Sequence, residues 1–378
     1  MAKLIGLSLF ANVGIAETYL HELGIDIEVA NEIDEARARF YTHLYPDADM
    51  ITGDITDQEI FKKVIEKARA KKVDFIIATP PCQGMSLAGK MDQFDKRNQL
   101  VYYAIEAIKK LKPKYILLEN VPQLLKTKIK INDQIVAIPE YIHRELGKDY
   151  NFANQNLVSA MDYGVPQMRR RNIFLLSRKD MQYIWQIPTP QKRITLKDAI
   201  YDLPSVDPLL KEGLGETIKL FPDFLEKKEK AEKVSKFHTP PVHAKKHVIA
   251  MMHTPSGCTA FDNEKYYPKK DDGTRVNGHY NTYRRFEWEK PARTITQNNG
   301  VISSLCCVHP GKPYTKNGET LYSDPRCLTL YELFIVFSLP KNWDVPEWAD
   351  ERLIRKVVGE GIPPMLIKNL AKPLIDHL

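Results

Sequence analysis

From Leu4 to about Leu176 short apolar runs alternate with stretches of helical period, a pattern that predicts a parallel sheet covered by helices. The runs are Leu4-Ile5-Gly6-Leu7-Ser8-Leu9-Phe10, Glu28-Val29-Ala30, Phe75-Ile76-Ile77-Ala78, Tyr115-Ile116-Leu117-Leu118 and Asn172-Ile173-Phe174-Leu175-Leu176. Between the third and the fourth, Leu100, Val101, Ala104, Ile105, Ile108 and Leu111 recur at the 3.6-residue period and predict a helix from Gln99 to Leu111. Lys109, Lys110 and Lys112 suit its C-terminal end, and Pro113 stops it.

After about Met181 the periodicity fades into proline-, histidine- and lysine-rich sequence that continues to about Tyr283 and predicts a second, loop-rich domain. Glu226 to Lys233 is a run of charge that reads as the solvated face of a helix. A chain of 378 residues exceeds the usual size of one hydrophobic core, which agrees with two domains.

The formal net charge of +7 suits a polyanionic partner but on its own decides nothing. Five cysteines (Cys82, Cys258, Cys306, Cys307 and Cys327) form no Cys-x-x-Cys pair, and the odd count argues against a disulfide framework; a reducing cytoplasm and no structural metal are expected. The first apolar run is too short for a membrane span and lacks the flanks of a signal peptide, so it reads as a strand.

The residues that follow the runs carry the chemistry. Asn12 and Gly14 follow the first, Glu32 the second, Pro81 and Cys82 the third, and Glu119 and Asn120 the fourth. In open α/β sheets ligands sit beyond the carboxyl ends of strands, so these groups are expected to converge on one crevice. Free cysteines are mostly buried small hydrophobes. Cys82, however, sits in Thr79-Pro80-Pro81-Cys82-Gln83-Gly84, on a proline-stiffened turn rather than a helix or strand face, and reads as reactive. Glu119 by itself reads equally well as a solvated acid. The arginines of Gln167-Met168-Arg169-Arg170-Arg171, next to an acid and a thiol, suit a phosphate or a pyrimidine carbonyl oxygen.

Taken in order along nearly the whole chain, these motifs resemble the C5-cytosine DNA methyltransferase family. The resemblance is carried by Ser8-Leu9-Phe10-Ala11-Asn12-Val13-Gly14, Asn31-Glu32-Ile33-Asp34, Gly53-Asp54-Ile55, Pro80-Pro81-Cys82-Gln83-Gly84, Glu119-Asn120-Val121 and Gln167-x-Arg169-x-Arg171. It continues through Tyr283-Arg284-Arg285-Phe286, Pro291-Ala292-Arg293-Thr294-Ile295-Thr296 and Gly359-Glu360-Gly361-Ile362-Pro363-Pro364. Carbon 5 of cytosine is too weak a nucleophile to take a sulfonium methyl unaided, so a thiolate must first add at carbon 6. Methylases of exocyclic amines resemble instead an Asp/Asn/Ser-Pro-Pro-aromatic pattern, because an amine has its own lone pair.

The resemblance implies an α/β, Rossmann-like S-adenosylmethionine-dependent methyltransferase fold with a mixed sheet, formed by residues 1–185 and 350–378. Residues 186–349 are then a smaller domain, with target recognition at about 186–283 and a hinge. It implies Cys82 as nucleophile, Glu119 at the ring N3 and exocyclic amine, Arg171 at O2, and Arg169 in support. Cofactor contacts fall to Phe10, Asn12, Gly14, Glu32, Ile33, Asp54, Ile55, Pro81, Leu100 and Glu360, with Leu100 and Asp74 the weaker candidates. Gln83, Ser86, Arg97 and Gln167 are implied at the DNA. The family often has two further glycines where this chain has Asn12 and Ile15, and asparagine where it has Glu360; asparagine tolerates left-handed backbone angles.

The expected partners are S-adenosylmethionine, with S-adenosylhomocysteine as product, and duplex DNA whose target nucleotide is flipped out. A monomer and a cognate restriction endonuclease in the same system, with no direct contact, are also implied. His238, His243, His247 and His253 are read as phosphate contacts or structural hydrogen bonds rather than zinc ligands. Other readings stay open: an RNA cytosine methylase, although the Cys-Phe-Thr motif of those relatives is missing, and a catalytically silent DNA-binding protein. A dehydrogenase is disfavoured by the missing Gly-x-Gly-x-x-Gly.

Overall fold

A strand that is apolar on both faces must be covered on both sides, and the predicted runs meet that need by forming the middle of one sheet. The computed structural model describes residues 4–81, 100–131, 134–270 and 272–378. In chain order the first part supplies β1 (Leu4–Leu9), β2 (Ile25–Glu32), α1 (Glu35–Leu44), β3 (Asp49–Thr52), α2 (Gln58–Ala70), β4 (Phe75–Ala78), α3 (Leu100–Leu111) and β5 (Tyr115–Asn120). A hairpin of β6 (Lys128–Ile131) and β7 (Gln134–Ala137) precedes α4 (Ile138–Leu146), β8 (Tyr150–Phe152), β9 (Leu157–Ser159), β10 (Gln167–Met168) and β11 (Arg170–Arg178).

The sheet runs β3-β2-β1-β4-β5-β11-β8, with β9 also on β11. The first five strands are mutually parallel, whereas β11 is antiparallel to β5, and β8 and β9 are antiparallel to β11. All four residues of β4 and all six of β5 are buried, which is why their sequence shows no alternation. The edge strand β3 escaped the sequence reading because an edge requires little apolar surface: of Asp49-Met50-Ile51-Thr52, Ile51 alone is buried.

The remaining helices are α5 (Leu196–Ile200), α6 (Leu214–Leu220), α7 (Phe224–Val234), α8 (Lys245–Met252), α9 (Leu330–Val336), α10 (Glu351–Glu360) and α11 (Pro364–Ile375). Four of them lie in the stretch read as loop-rich. They are short, and α7 spends most of its surface on exposed pairs such as Glu226 with Lys230 and Glu229 with Lys233, so no long apolar period marks them. Among the described residues no helix is long and apolar enough to cross a membrane.

One face of the sheet is covered by α2, α3 and α4, with Val64, Val101, Ile105, Ile108 and Ile142 packed on Leu7, Ile76, Ile116 and Leu118. On the other face α11 and Trp185 cover Phe75, Ile77, Tyr115, Leu117 and Leu175, and the Trp185 indole donates to the Leu370 carbonyl at 2.8 Å. A further cluster joins Val13, Ile15 and Phe40 to Leu196, Phe286, Leu333, Phe334, Trp343 and Val357, so the second half of the chain shares a core with the turn after β1.

The second lobe is organised on a buried ionic knot. Arg326, fully buried, donates to both carboxylate oxygens of Glu332 at 2.7 and 2.9 Å, to Asp324 at 2.8 Å and to the Val206 carbonyl at 2.6 Å. Thr329 caps α9 in a reciprocal box with the same Glu332, and the buried His238 bonds the Thr329 hydroxyl at 2.9 Å. Burial pushes the Glu332 carboxyl up, but Arg326 and His309 outweigh it and hold the group at about 2.

A second buried acid behaves oppositely. Glu17, 3 % exposed, accepts from the Tyr41 hydroxyl at 2.5 Å, and burial raises its carboxyl from 4.5 to about 7 against hydrogen bonds from Ser8 and Tyr41.

Two predictions follow from these groups. Arg326→Met strands two buried carboxylates and is expected to cost about 3–5 kcal/mol in urea unfolding; a loss under about 1 kcal/mol would make the knot incidental. Because its folded-state value is raised, Glu17 favours folding fully below pH 4.5, and that contribution is lost as pH rises through about 7. Glu17→Gln is therefore expected to gain on the parent protein by roughly 3 kcal/mol over that interval and no further above it; a pH-independent difference would refute this.

Candidate active site

The crevice opens where β1 has β2 on one side and β4 on the other, so that successive crossovers leave in opposite directions. Its first wall is the turn after β1, where Phe10, Asn12 and Gly14 hold φ of 61°, 51° and 79°. Gly14 is required there twice over: its φ is left-handed, and a Cβ would lie 2.2 Å from the Tyr45 ring. Asn12 adopts the left-handed angle anticipated for it. Its amide donates to Glu32 at 2.9 Å and its side-chain nitrogen to the Val357 carbonyl at 3.1 Å, while its side-chain oxygen is buried with no partner.

Glu32, 5 % exposed at the end of β2, also accepts from the Asp34 amide at 3.0 Å. The next residue, Ile33, is 62 % exposed, a large apolar side chain left uncovered at the rim. Asn31 bonds the Ile51 and Gly53 carbonyls at 2.8 and 3.1 Å and so fixes the turn that carries exposed Asp54 and buried Ile55. Glu360, where the family often has asparagine, is engaged by Arg37 of α1 at 2.6 Å. Half-buried Leu100 opens α3 and packs on its core. Asp74 is corrected as a cofactor candidate: it precedes β4, at the opposite end of the sheet, and accepts from the Ile5 amide and Lys114, both at 2.9 Å.

The second wall comes from β4, β5 and β11. Asn120 donates to the Pro80 carbonyl at 3.1 Å and pins the Pro80-Pro81 turn to β5; that role was not read from the sequence, because it joins residues forty positions apart. Cys82, Gln83, Ser86 and Arg97 lie outside the described residues. Glu119, 7 % exposed, meets Arg171, 9 % exposed, at 2.7 Å. Burial pushes the Glu119 carboxyl above its ordinary value, while the charges of Arg171 and Arg169 pull against it. Burial lowers Arg171 in turn, which its ion pair opposes. The product is a water-poor pair able to present a protonated or ionised carboxyl beside a guanidinium.

Gln167, expected at the DNA, and Arg169, expected in support of the site, both turn inward. Gln167 is fully buried and accepts from the Ile295 amide at 3.3 Å. Arg169, 2 % exposed, donates to the Ile295, Gly359 and Glu360 carbonyls at 2.8, 3.0 and 3.3 Å. It thus ties β11 to the motif Gly359-Glu360-Gly361, where Gly359 sits so close that a Cβ would lie 2.3 Å from the Thr296 carbonyl oxygen. Beside it, β10 pairs in parallel with Ala292–Arg293. Arg355 and Asn299 lock the same junction at 3.1 Å, a contact no local pattern announces.

Residues 5–376 match the family model described as C-5 cytosine-specific DNA methylase. The chain is 41% identical to the type II methyltransferase M1.HgaI of Avibacterium volantium, over 99% of both chains. It is 25% identical to the type II methyltransferase M.DdeI of Desulfomicrobium norvegicum, over 97% of this chain and 87% of that one. Among solved structures it resembles a putative DNA modification methyltransferase encoded within an E. coli prophage, with TM-score 0.64 and 20% identity over 99% of both chains. A Dnmt2 of Spodoptera frugiperda matches with TM-score 0.60 and 16% identity over 98% of this chain and 99% of that one, a likeness of fold. With a family match along almost its whole length and a relative so similar from end to end, the chain belongs to the C-5 cytosine-specific DNA methylases.

Proposed function

We propose that this type II DNA cytosine-5 methyltransferase acts through a covalent bond between Cys82 and carbon 6 of a flipped-out cytosine. The observation that carries the reading is the buried Glu119–Arg171 pair, held beside the Pro80-Pro81 turn that leads into Cys82. Thiolate addition at carbon 6 places negative charge on the ring, and the base needs a proton or a hydrogen bond at N3 as that charge grows. The raised Glu119 carboxyl keeps a proton to higher pH than an exposed glutamate and suits that task. Arg171 suits the O2 atom, and Arg169 positions it through three carbonyls. Once carbon 5 is methylated, loss of its proton and elimination of the thiolate restore the aromatic ring.

The family implies S-adenosylmethionine as donor, and the first wall fits it. The Glu32 carboxylate suits ribose hydroxyls, uncovered Ile33 suits the face of a purine, and Asp54 with Ile55 suits its edge. Phe10, Asn12 and Gly14 line the methionine side, where the unpartnered Asn12 oxygen is an acceptor in need of a donor. Pro81, Leu100 and Glu360 complete the set. When bound, the donor supplies a methyl group on a positively charged sulfur and leaves as S-adenosylhomocysteine.

Residues 186–349 are assigned to target recognition and hinge. The enzyme is read as a monomer acting in the cytoplasm, consistent with free thiols at Cys258, Cys306, Cys307 and Cys327, beside a cognate endonuclease of the same system.

Incubation with tritiated-methyl donor and mixed-sequence duplex DNA containing 5-fluorocytosine is expected to trap a labelled protein–DNA adduct, since fluorine does not leave as a proton does. Cys82→Ala should form none; an adduct that persists in that variant, or that forms on RNA alone, overturns the reading. Glu119→Gln is expected to lower kcat by about 100-fold or more while DNA affinity is kept.

A further inference from the structure

We infer that Arg37 and Glu360 act together as an ionic latch that holds the cofactor wall preformed, which makes them positioning residues for the methyl donor. The inference rests on the reading that this wall takes S-adenosylmethionine and goes beyond it in assigning what sets the affinity.

The two residues are 323 positions apart in the chain and meet at 2.6 Å. Their side chains are 17 % and 24 % exposed, so water screens their attraction far less than it screens peripheral pairs such as Glu226 with Lys230. Among the described residues Glu360 is the carboxylate that Arg37 meets.

Helix formation does not account for either residue. Arg37 stands in the first turn of α1, where unpaired amides favour an acid, and Glu360 is the last residue of α10, where unpaired carbonyls favour a base. Each charge opposes the dipole of its own helix and is matched by the other. Asparagine at 360, frequent in the family, makes no ion pair and would leave Arg37 without its counter-charge.

The pair closes a circuit of bonds around the first wall. Asp34 caps α1 by accepting from the Arg37 amide at 3.0 Å, and the Asp34 amide donates to one oxygen of Glu32 at 3.0 Å. The other Glu32 oxygen accepts from the Asn12 amide at 2.9 Å, and the Asn12 side chain donates to the Val357 carbonyl of α10 at 3.1 Å. From Val357 the helix runs on to Glu360, whose own carbonyl is held by Arg169 at 3.3 Å. Each of these bonds uses a backbone group. The bond between Arg37 and Glu360 joins two side chains, so it is the link that side-chain chemistry can open.

With the latch open, the start of α1, beside Ile33, and the end of α10 are free to part as water reaches both charges. The wall must then be reassembled as the donor enters, and ordering on binding lowers affinity.

Binding of S-adenosylhomocysteine is measured by titration calorimetry without DNA, so that the readout does not depend on turnover. Arg37→Met and Glu360→Asn are each expected to weaken it by about 10-fold, and the double variant by no more than the weaker-binding single one. The exchanged pair, Arg37→Glu with Glu360→Arg, should recover most of the loss. In turnover the loss should fall on the KM for the donor, with kcat at saturating donor and the KM for DNA retained. The thermal midpoint of the free protein should not fall in step with affinity, because each single change removes a charge that opposes a helix dipole and the exchange sets both charges with their dipoles.

Unchanged affinity in both single variants would overturn the latch. So would losses that add in the double variant, since each residue would then act on its own, and so would affinities that track the thermal midpoint through the whole series, since the pair would then serve only the fold. An unaltered protein that binds no S-adenosylhomocysteine would instead remove the donor reading on which the latch depends.

Discussion

The antiparallel pairing of β11 with β5 is the constraint on which the active site depends. A parallel strand delivers its carboxyl end to the crevice, as β5 delivers Glu119; an antiparallel neighbour delivers its beginning, and with it the residues that precede the strand. The register sets Ile173 opposite Glu119 and Asn172 opposite Asn120, so Arg171 emerges on the same face as Glu119 and the two meet at 2.7 Å. A parallel β11 would carry the arginines to the far end of the sheet. Alternation then sorts the roles: Glu119 and Arg171 face the crevice together, while Asn120 points the other way and holds Pro80.

The same motif anchors the second lobe. Arg171 pairs with Glu119, and Arg169, two residues earlier, reaches carbonyls of Ile295, Gly359 and Glu360. One short segment therefore meets the acid, pairs with Ala292–Arg293 and holds the start of the turn into α11. The close approach at Gly359 is what allows these backbones to meet.

Buried charge is used in two distinct ways. In the Arg326 knot every charge is matched, and the product is a rigid base for α9. At Glu119 burial and two guanidiniums oppose one another, and the carboxyl is left above its ordinary value.

Much of this architecture is legible in the amino-acid order, because the central strands β4 and β5 are apolar almost throughout and polar groups stand at or just after strand ends: Asn12, Glu32 and Glu119 could be placed at one crevice by counting, whereas Cys82 lies outside the described residues. The helix at Gln99–Leu111 is equally plain, and begins at Leu100 among the described residues. What counting could not supply was direction and inwardness. Gln167 reads as a DNA contact and Arg169 as support for the site, and tertiary packing buries both and engages them with backbone groups more than a hundred positions away. Asp74 reads as a strand-end acid but belongs to the other end. The short helices of the second half leave no periodic trace, since their environment is made by distant segments. Sequence alone determined which chemistry is present and beside which strand, because strand, turn and motif are local properties of the chain. Tertiary structure decided which of those groups face the crevice, which face inward and which are left without a partner, because burial and pairing depend on residues far apart along the chain.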